Sequence, residues 1–357
     1  MKTIKLEKLG FNNYFKDKVK SYSGKNLQPA RISAVHRNSF LVHNGTSEIF
    51  AELAGKFFYQ NDSPLNLPAV GDWVMISIFD EDNLAIVQDI LPRQSLIKRK
   101  DPGKKLDYQL IAANIDFAFI MQDLSINFNL NRLERYLVMV GESGVQPVIL
   151  FSKSDLLSAA EIDQIVTGLD RLNDQYQWFM FSSVNGAGLE DIRRSLKPGH
   201  TYCLLGSSGV GKTTLLNILL GEQRFDIREV RSSDGKGRHT TTQRQLILLA
   251  DGSLFIDTPG MRELGTISAE EGIGKTFDEI LRFAEQCRFS DCTHISEQGC
   301  AVLQAIESGL IDRNRYDNYI KISKESAFYQ MSYLDKRRKD KAFGRMYKQV
   351  MKNNRKK

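Results

Sequence analysis

Two rhythms of apolar and polar residues divide the chain. From Pro29 to about Ile90 the apolar positions come in short β-branched and aromatic runs, "ARISAVH", "SFLVHN", "EIFAEL", "DWVMISIF" and "LAIVQDIL". Turn residues at Asn44-Gly45 and from Asp80 to Asn83 separate them. Five such strands in so short a stretch predict a small closed β-barrel of OB-fold size. The charged segment "LPRQSLIKRKDPGKKLDYQ", with Pro92, Pro102 and Gly103, reads as a linker. After it, continuous apolar runs ("IDFAFIMQ", "QPVILFS", "QWFMFSS", "TYCLLG", "RQLILLA", "GSLFIDT") alternate with stretches of helical period, one of them capped near Asn129. That alternation predicts an α/β fold with a doubly wound parallel sheet. The predicted organisation is an N-terminal extension (1–28), the barrel (29–95), the α/β domain (96–265), a mainly helical domain (266–334) and a basic tail (335–357).

Composition changes this picture little. The 357 residues are 41% apolar and 26% charged, as in folded soluble proteins. No apolar run approaches the roughly 20 residues that span a bilayer, and the N-terminus is too charged for a secretory signal. A cytoplasmic protein without membrane contact is expected. No heptad pattern suggests assembly, so a monomer is expected. The net charge of +6 is concentrated in the tail, where eleven Lys or Arg face two Asp, leaving −3 for the rest. That tail is either a solvated helix face or a contact for a polyanion such as RNA. In the barrel, Arg31, His36, Arg37, Phe40 and Trp73 are either a stacking and phosphate surface or alternate core positions.

Chemistry enters with "LLGSSGVGKTTLLN". Gly206, Ser207, Ser208, Gly209, Val210, Gly211, Lys212 and Thr213 satisfy the G-x-x-x-x-G-K-[ST] pattern between an apolar strand and a helix. Glycines let successive N–H groups curl toward phosphate oxygens, and the helix N-terminus adds a favourable dipole. Lys212 supplies a charge to the β and γ phosphates, and the Thr213 hydroxyl suits Mg²⁺. Asp257, in "DTPG", can hold Mg²⁺ through water, and the Gly260 N–H can sense the γ-phosphate. Between them lies "SSDGKGRHTTTQRQ", of a length and polarity that suit a switch loop. Thr240, Thr241 and Thr242 are its candidates for closing over the metal, with Thr241 favoured. His239 is a candidate for orienting water, or it packs or contacts RNA. Met261 stands where a water-orienting Gln is common, which predicts slow intrinsic turnover.

A second motif, "SKSD", precedes the phosphate loop by about fifty residues. The Asp155 carboxylate can accept both donors on the guanine edge, a pair that adenine lacks. The Lys153 stem can lie along the base, and the turn from Ser182 and Ser183 to Gly186 suits a close backbone contact with the guanine oxygen. Ligand groups of an open α/β sheet come from the carboxyl ends of its strands, whatever their order in the chain. Base-reading loops ahead of phosphate loops therefore make a circularly permuted GTPase. A P-loop kinase would leave the "SKSD" turn without a role. Finally, "CRFSDCTHISEQGC" sets Cys287, Cys292, His294 and Cys300 as a Cys₃His set, the composition of a structural Zn²⁺ site with no open position.

On "VGDWV", "SKSDL", "GSSGVGKTTLLN", "GRHTTT", "DTPG" and "CRFSDCTHISEQGCAV" the chain resembles the ribosome small-subunit-dependent GTPase A family from about residue 29 to 325. The resemblance implies GTP hydrolysis to GDP in late maturation of the small ribosomal subunit, stimulated by that particle and its rRNA. It matches the family's guanine motif to Lys153 and Asp155, its phosphate motif to Gly206 through Thr214, and its zinc ligands to the Cys₃His set. An rRNA-binding factor that uses GTP as an occupancy signal, with negligible turnover, is the alternative. Two departures stand out. Ser152 replaces the Asn or Thr that ties the base loop to the phosphate loop, which predicts weaker nucleotide binding. Gln298 stands where the family suggests Pro.

Overall fold

The computed structural model describes residues 5–36, 39–59, 64–79, 84–100, 108–124, 128–168, 175–225, 244–257 and 269–330. The chain divides into two compact units, 1–265 and 266–357. The first begins with helix α1 (Asn13–Val19), then strands β1 (Gln28–Val35), β2 (Phe40–His43) and β3 (Glu48–Leu53), a helical turn α2 (Lys56–Tyr59), β4 (Trp73–Phe79) and β5 (Leu84–Ile90). These strands run in the order β1-β2-β3-β5-β4, and β4 pairs back onto β1, so the barrel closes. Its interior is Ile32, Val42, Ile49, Ala51, Val74, Ile76, Ala85 and Val87, the alternate positions of each strand.

The segment read as a linker is instead a hairpin, β6 (Leu96–Lys100) against β7 (Tyr108–Ala113). Its charges masked a short apolar pairing, in which Ile97 of β6 and the run Leu110, Ile111, Ala112 and Ala113 of β7 are buried. Then follow β8 (Phe117–Asp123), α3 (Leu130–Glu142), β9 (Gln146–Ser152), α4 (Ala159–Gly168), β10 (Gln177–Met180), α5 (Leu189–Ser195), β11 (Thr201–Gly206), α6 (Lys212–Leu220), β12 (Gln245–Leu248) and β13 (Leu254–Asp257). Sheet order is β10-β9-β8-β11-β13-β12, continuing through β1 into the barrel. The first five are parallel. The last, β12, is antiparallel to β13, so the sheet is mixed where the sequence suggested a purely parallel one. A tight return at Ser253, whose N–H donates to Asp251 and whose carbonyl accepts from Leu249, makes a hairpin without a crossover.

Strands between two helical layers read as unbroken apolar runs because both faces are buried. Along β8, Ala118 and Ile120 pack with Leu133, Tyr136 and Leu137 of α3. Phe119 and Met121 face the other way, toward Leu215, Leu216 and Leu219 of α6. Helix α3 starts where Asn129 caps it, its side chain accepting from Arg132 N at 2.9 Å.

The barrel readings need two corrections. Arg31, Phe40 and Trp73 form no binding surface, because all three are buried. The N-terminal extension is the cover over part of them: Leu9, Phe11 and Phe15 pack on Trp73, with ring centroids of Phe11 and Trp73 at 4.7 Å. The Arg31 guanidinium donates to the carbonyls of Gly71 (3.2 Å), Asn114 (3.0 Å) and Leu9. Burial lowers its pKa to about 10, which leaves it charged at neutral pH. His36 is half-buried and Arg37 lies outside the described residues. The motif "VGDWV" is likewise structural: Asp72 is fully buried in a two-pronged ion pair with Arg93, Nε–Oδ1 2.8 Å and Nη2–Oδ2 2.7 Å.

The second unit holds helices α7 (Glu270–Thr276), α8 (Asp278–Ala284), α9 (Ala301–Glu307) and α10 (Arg313–Gln330). Phe277 is its buried centre, edge-on to Tyr319 at 5.6 Å. Arg315 joins α10 to α8 by donating to the Glu279 carboxylate and to Thr276 O at 2.8 Å. The tail from residue 331 lies outside the described residues.

Candidate functional site

Three loops gather at the carboxyl edge of the parallel strands. The first leaves β11. Gly206 has φ 145°, and a Cβ there would lie 2.5 Å from Met121 O on the neighbouring strand, so only glycine lets the loop rise beside β8. Gly209 and Gly211 also have positive φ, and Gly211 is the residue on which α6 opens. Lys212 Nζ folds back over the loop, donating to Gly206 O at 2.8 Å and Ser207 O at 2.7 Å. Val210 is buried, anchoring the loop, whereas Ser208, Gly209 and Thr213 are exposed and Ser207 and Thr214 half-buried.

The second loop leaves β9. Lys153 sits at φ 63°, the left-handed region, and turns the chain so that Asp155 projects as an exposed carboxylate. Its Nζ reaches Asp123 Oδ2 at 2.5 Å; Asp123 ends β8 directly beside Ser152. Ser152 is buried, and its hydroxyl donates to Val210 O at 2.8 Å. The shorter side chain therefore does span from the turn after β9 to the loop after β11, and it does so because Val210 packs down against the sheet. The third loop leaves β10. Ser182 is buried, its Oγ accepting from Val184 N (3.1 Å) and Asn185 N (3.3 Å), so its hydroxyl shapes the turn from within. Ser183 is half-buried at the surface of that turn. Ser154 N donates to Phe181 O at 3.3 Å and links the second and third loops.

Asp257 closes β13 at the same edge, opposite Gln245 of β12. His239, Thr241 and Gly260, with Met261, lie outside the described residues. The edge thus carries the Lys212 cation on the loop after β11 and the exposed Asp155 carboxylate on the turn after β9, chemistry that suits a phosphate at the first and a base at the second.

In the second unit Cys287, Cys292, His294 and Cys300 place one ligand atom each within 4.8 Å of all the others. Cys287 Sγ and Cys300 Sγ lie 3.8 Å apart, and each is 3.5 Å from His294 Nδ1. A tetrahedral ion with metal–sulfur bonds of about 2.3 Å demands sulfur–sulfur edges of about 3.8 Å, so the cluster fits such an ion. His294 and Cys300 are buried, and Tyr316 of α10 donates to His294 O at 2.5 Å. Glu297 holds the ligand loop: its carboxylate accepts from the Thr293 hydroxyl and from the N–H groups of Thr293, Ile295 and Ser296. Those donors, the Thr293 hydroxyl foremost, lower its pKa to about 2.

A family model described as RsgA GTPase matches residues 90–267. The small ribosomal subunit biogenesis GTPase RsgA 2 of Vibrio parahaemolyticus is 38% identical over 354 residues, covering 98% of this chain and 94% of the relative. The chain belongs to the RsgA GTPase family. Another relative of that name, from Lactiplantibacillus plantarum, is 39% identical over 355 residues, 98% of this chain and 97% of its own. Among solved structures, YjeQ from Thermotoga maritima is similar with a TM-score of 0.63 and 27% identity, over 84% of this chain and 98% of that one. YloQ, described as a circularly permuted GTPase, shares the fold with a TM-score of 0.62 and 24% identity over 87% and 99%. The RsgA fold of this chain is that permuted domain, with a closed barrel before it and a helical Cys₃His region after it.

Residue-type reasoning missed three parts of this RsgA site. Asp123 lies one residue past the apolar run "IDFAFIMQ", and only sheet register places it beside Ser152. Gly188, at φ 72°, allows the turn after Ser182, since a Cβ would sit 1.9 Å from Met180 O. Glu297 lies between His294 and Cys300, and its signal in the chain is the T-x-x-x-E spacing from Thr293.

Proposed function

We propose that this RsgA-family chain is a cytoplasmic, monomeric GTPase of late small-subunit maturation, hydrolysing GTP to GDP and phosphate when the subunit and its rRNA stimulate it. One observation carries the reading: the Ser152–Val210 hydrogen bond makes the Asp155 turn and the Lys212 loop a single framed site. Relatives named as small ribosomal subunit biogenesis GTPases support the partner.

In this reading Asp155 and Lys153, with the Ser182–Ser183 turn, select guanine, because Asp155 is left desolvated and unpaired by adenine. Gly206 through Thr214 hold the phosphates through backbone N–H groups and Lys212. Thr213 and Asp257 would hold Mg²⁺, which neutralises charge on the β and γ oxygens when bound. Met261 cannot align water, so slow turnover falls to the switch loop, with Thr241 closing and His239 orienting water once the particle orders them. The Cys₃His cluster would hold one structural Zn²⁺, whose closed ligand set folds the second unit and leaves no position for chemistry.

Phosphate release measured with and without purified small subunits tests this. Stimulated GTP hydrolysis, competed by GTP and not by ATP, is expected. Unstimulated background rates with tight GTP-dependent binding to the particle would favour the occupancy-signal reading, which Met261 supports. His239→Ala retaining full stimulated turnover would remove that residue from the mechanism.

A further inference from the structure

The outer surface of the barrel carries a row of apolar side chains that the nucleotide site does not use. Register pairs Leu41 of β2 with Phe50 of β3, Phe50 with Leu84 of β5, and Leu84 with Phe79 of β4. Cross-strand partners lie side by side on one face, so these four form a continuous strip across four strands. Phe50 is 55% exposed, Phe79 50% and Leu84 39%. Leu41 is half-buried, and the His36 ring lies 6.5 Å from Phe50. Isolated exposed apolar residues need no explanation, but a strip of neighbours does.

Charge identifies the occupant. Strands β2 to β5 contain three carboxylates, Glu48, Glu52 and Asp89, and no Lys or Arg. Glu48 and Glu52 flank Phe50 on the same exposed side of β3. Asp89 is engaged by Lys56 at 3.8 Å and by the Tyr22 hydroxyl at 2.9 Å, so the acidity facing outward beside Phe50 is that of Glu48 and Glu52. A nucleic acid would bring its phosphates against these carboxylates, and aromatic stacking would have to overcome that repulsion. A cationic polypeptide meets an apolar centre and an acidic rim, the usual layout of a protein interface.

We propose that the strip Leu41–Phe50–Leu84–Phe79 docks a Lys/Arg-rich polypeptide segment bearing an apolar or aromatic side chain. The aromatic pair buries that side chain, and Glu48 and Glu52 pair with its cations. None of these strands contributes to the nucleotide site, so the proposal stands independently of what that site turns over.

The test is fluorescence anisotropy on the full chain with two probes, a labelled peptide of Lys-Arg-Phe-Gly repeats and a labelled single-stranded RNA of matching length. Saturable, salt-sensitive peptide binding is expected. F50S with F79S should weaken it by about tenfold or more, the loss typical of a central aromatic pair. E48K with E52K leaves the apolar strip intact and should weaken the peptide comparably. Both variants change exposed side chains, and an unchanged melting temperature and GTP affinity check their folding. Absent peptide binding, or peptide binding that neither pair of substitutions alters, overturns the proposal. So does RNA binding that E48K with E52K strengthens and F50S with F79S abolishes while the peptide is unaffected, since the face would then read nucleic acid.

Discussion

Replacing Ser152 with Ala removes one buried hydroxyl and tests whether the two halves of the site are mechanically joined. The hydroxyl donates to Val210 O at 2.8 Å, with Gln122 O as a longer neighbour at 3.3 Å. A neutral hydrogen bond contributes about 1 kcal/mol net, and a buried carbonyl deprived of its donor costs about 1–3 kcal/mol. The loss is thus about 2 kcal/mol, part falling on fold stability and part on the position of the phosphate loop. If about 1–2 kcal/mol is expressed in binding, GTP and GDP affinities both fall by roughly 5- to 30-fold. Equal losses are expected because the bond orients the loop and touches neither the base nor the γ-phosphate. The assay is equilibrium titration with a fluorescent guanine nucleotide, beside a melt without nucleotide. Ser152→Thr keeps the hydroxyl and should restore affinity. Affinity of Ser152→Ala within twofold of wild type would refute the argument that this bond frames the site.

Four further outcomes are expected. Asp155→Asn should collapse the preference for GTP over ATP, measured by competition, by about a hundredfold, since a charged hydrogen-bond pair to the base is worth a few kcal/mol. Arg93→Ala should lower stability by about 3–5 kcal/mol in urea unfolding, because the buried Asp72 carboxylate loses its ion-pair partner and keeps only the Ala69 N–H as a hydrogen-bond donor; a double change that also replaces Asp72 with Asn should recover part of it. Gly188→Ala should cost about 2 kcal/mol or more, seen as a lower melting temperature, because φ 72° and the 1.9 Å approach to Met180 O both exclude a Cβ. Chelation of metal should release one ion per chain and reduce helical circular dichroism, while GTP binding by the first unit persists.

How much of the site could be read from the chain depended on how local each interaction is. The glycine-rich turn from Gly206 to Thr213 was legible because its glycines, lysine and helix start fall within eight consecutive residues. The Cys₃His cluster was legible because all four side chains fall within fourteen residues, so the local chain alone can bring them together. The "SKSD" turn could be placed at the end of a strand, but its partner could not: Ser152 and Val210 are 58 positions apart and meet only through the order β9-β8-β11.

Burial was the harder quantity. Arg31 and Trp73 have the residue types of a nucleic-acid surface, and nothing in β1 or β4 says that residues 6–15 will fold over them. The hairpin β6–β7 was hidden by its own lysines, since charge in a strand is set by which side faces water. The chain by itself determined the kinds of element, the glycine-rich loop after β11 and the Cys₃His cluster, because these follow from backbone geometry and residue spacing within one segment. Tertiary packing alone decided that Ser152 reaches Val210 in the loop after β11, that Lys153 finds Asp123, and that the barrel presents Phe50 in place of Trp73, because each depends on distant strands brought into register by a shared core.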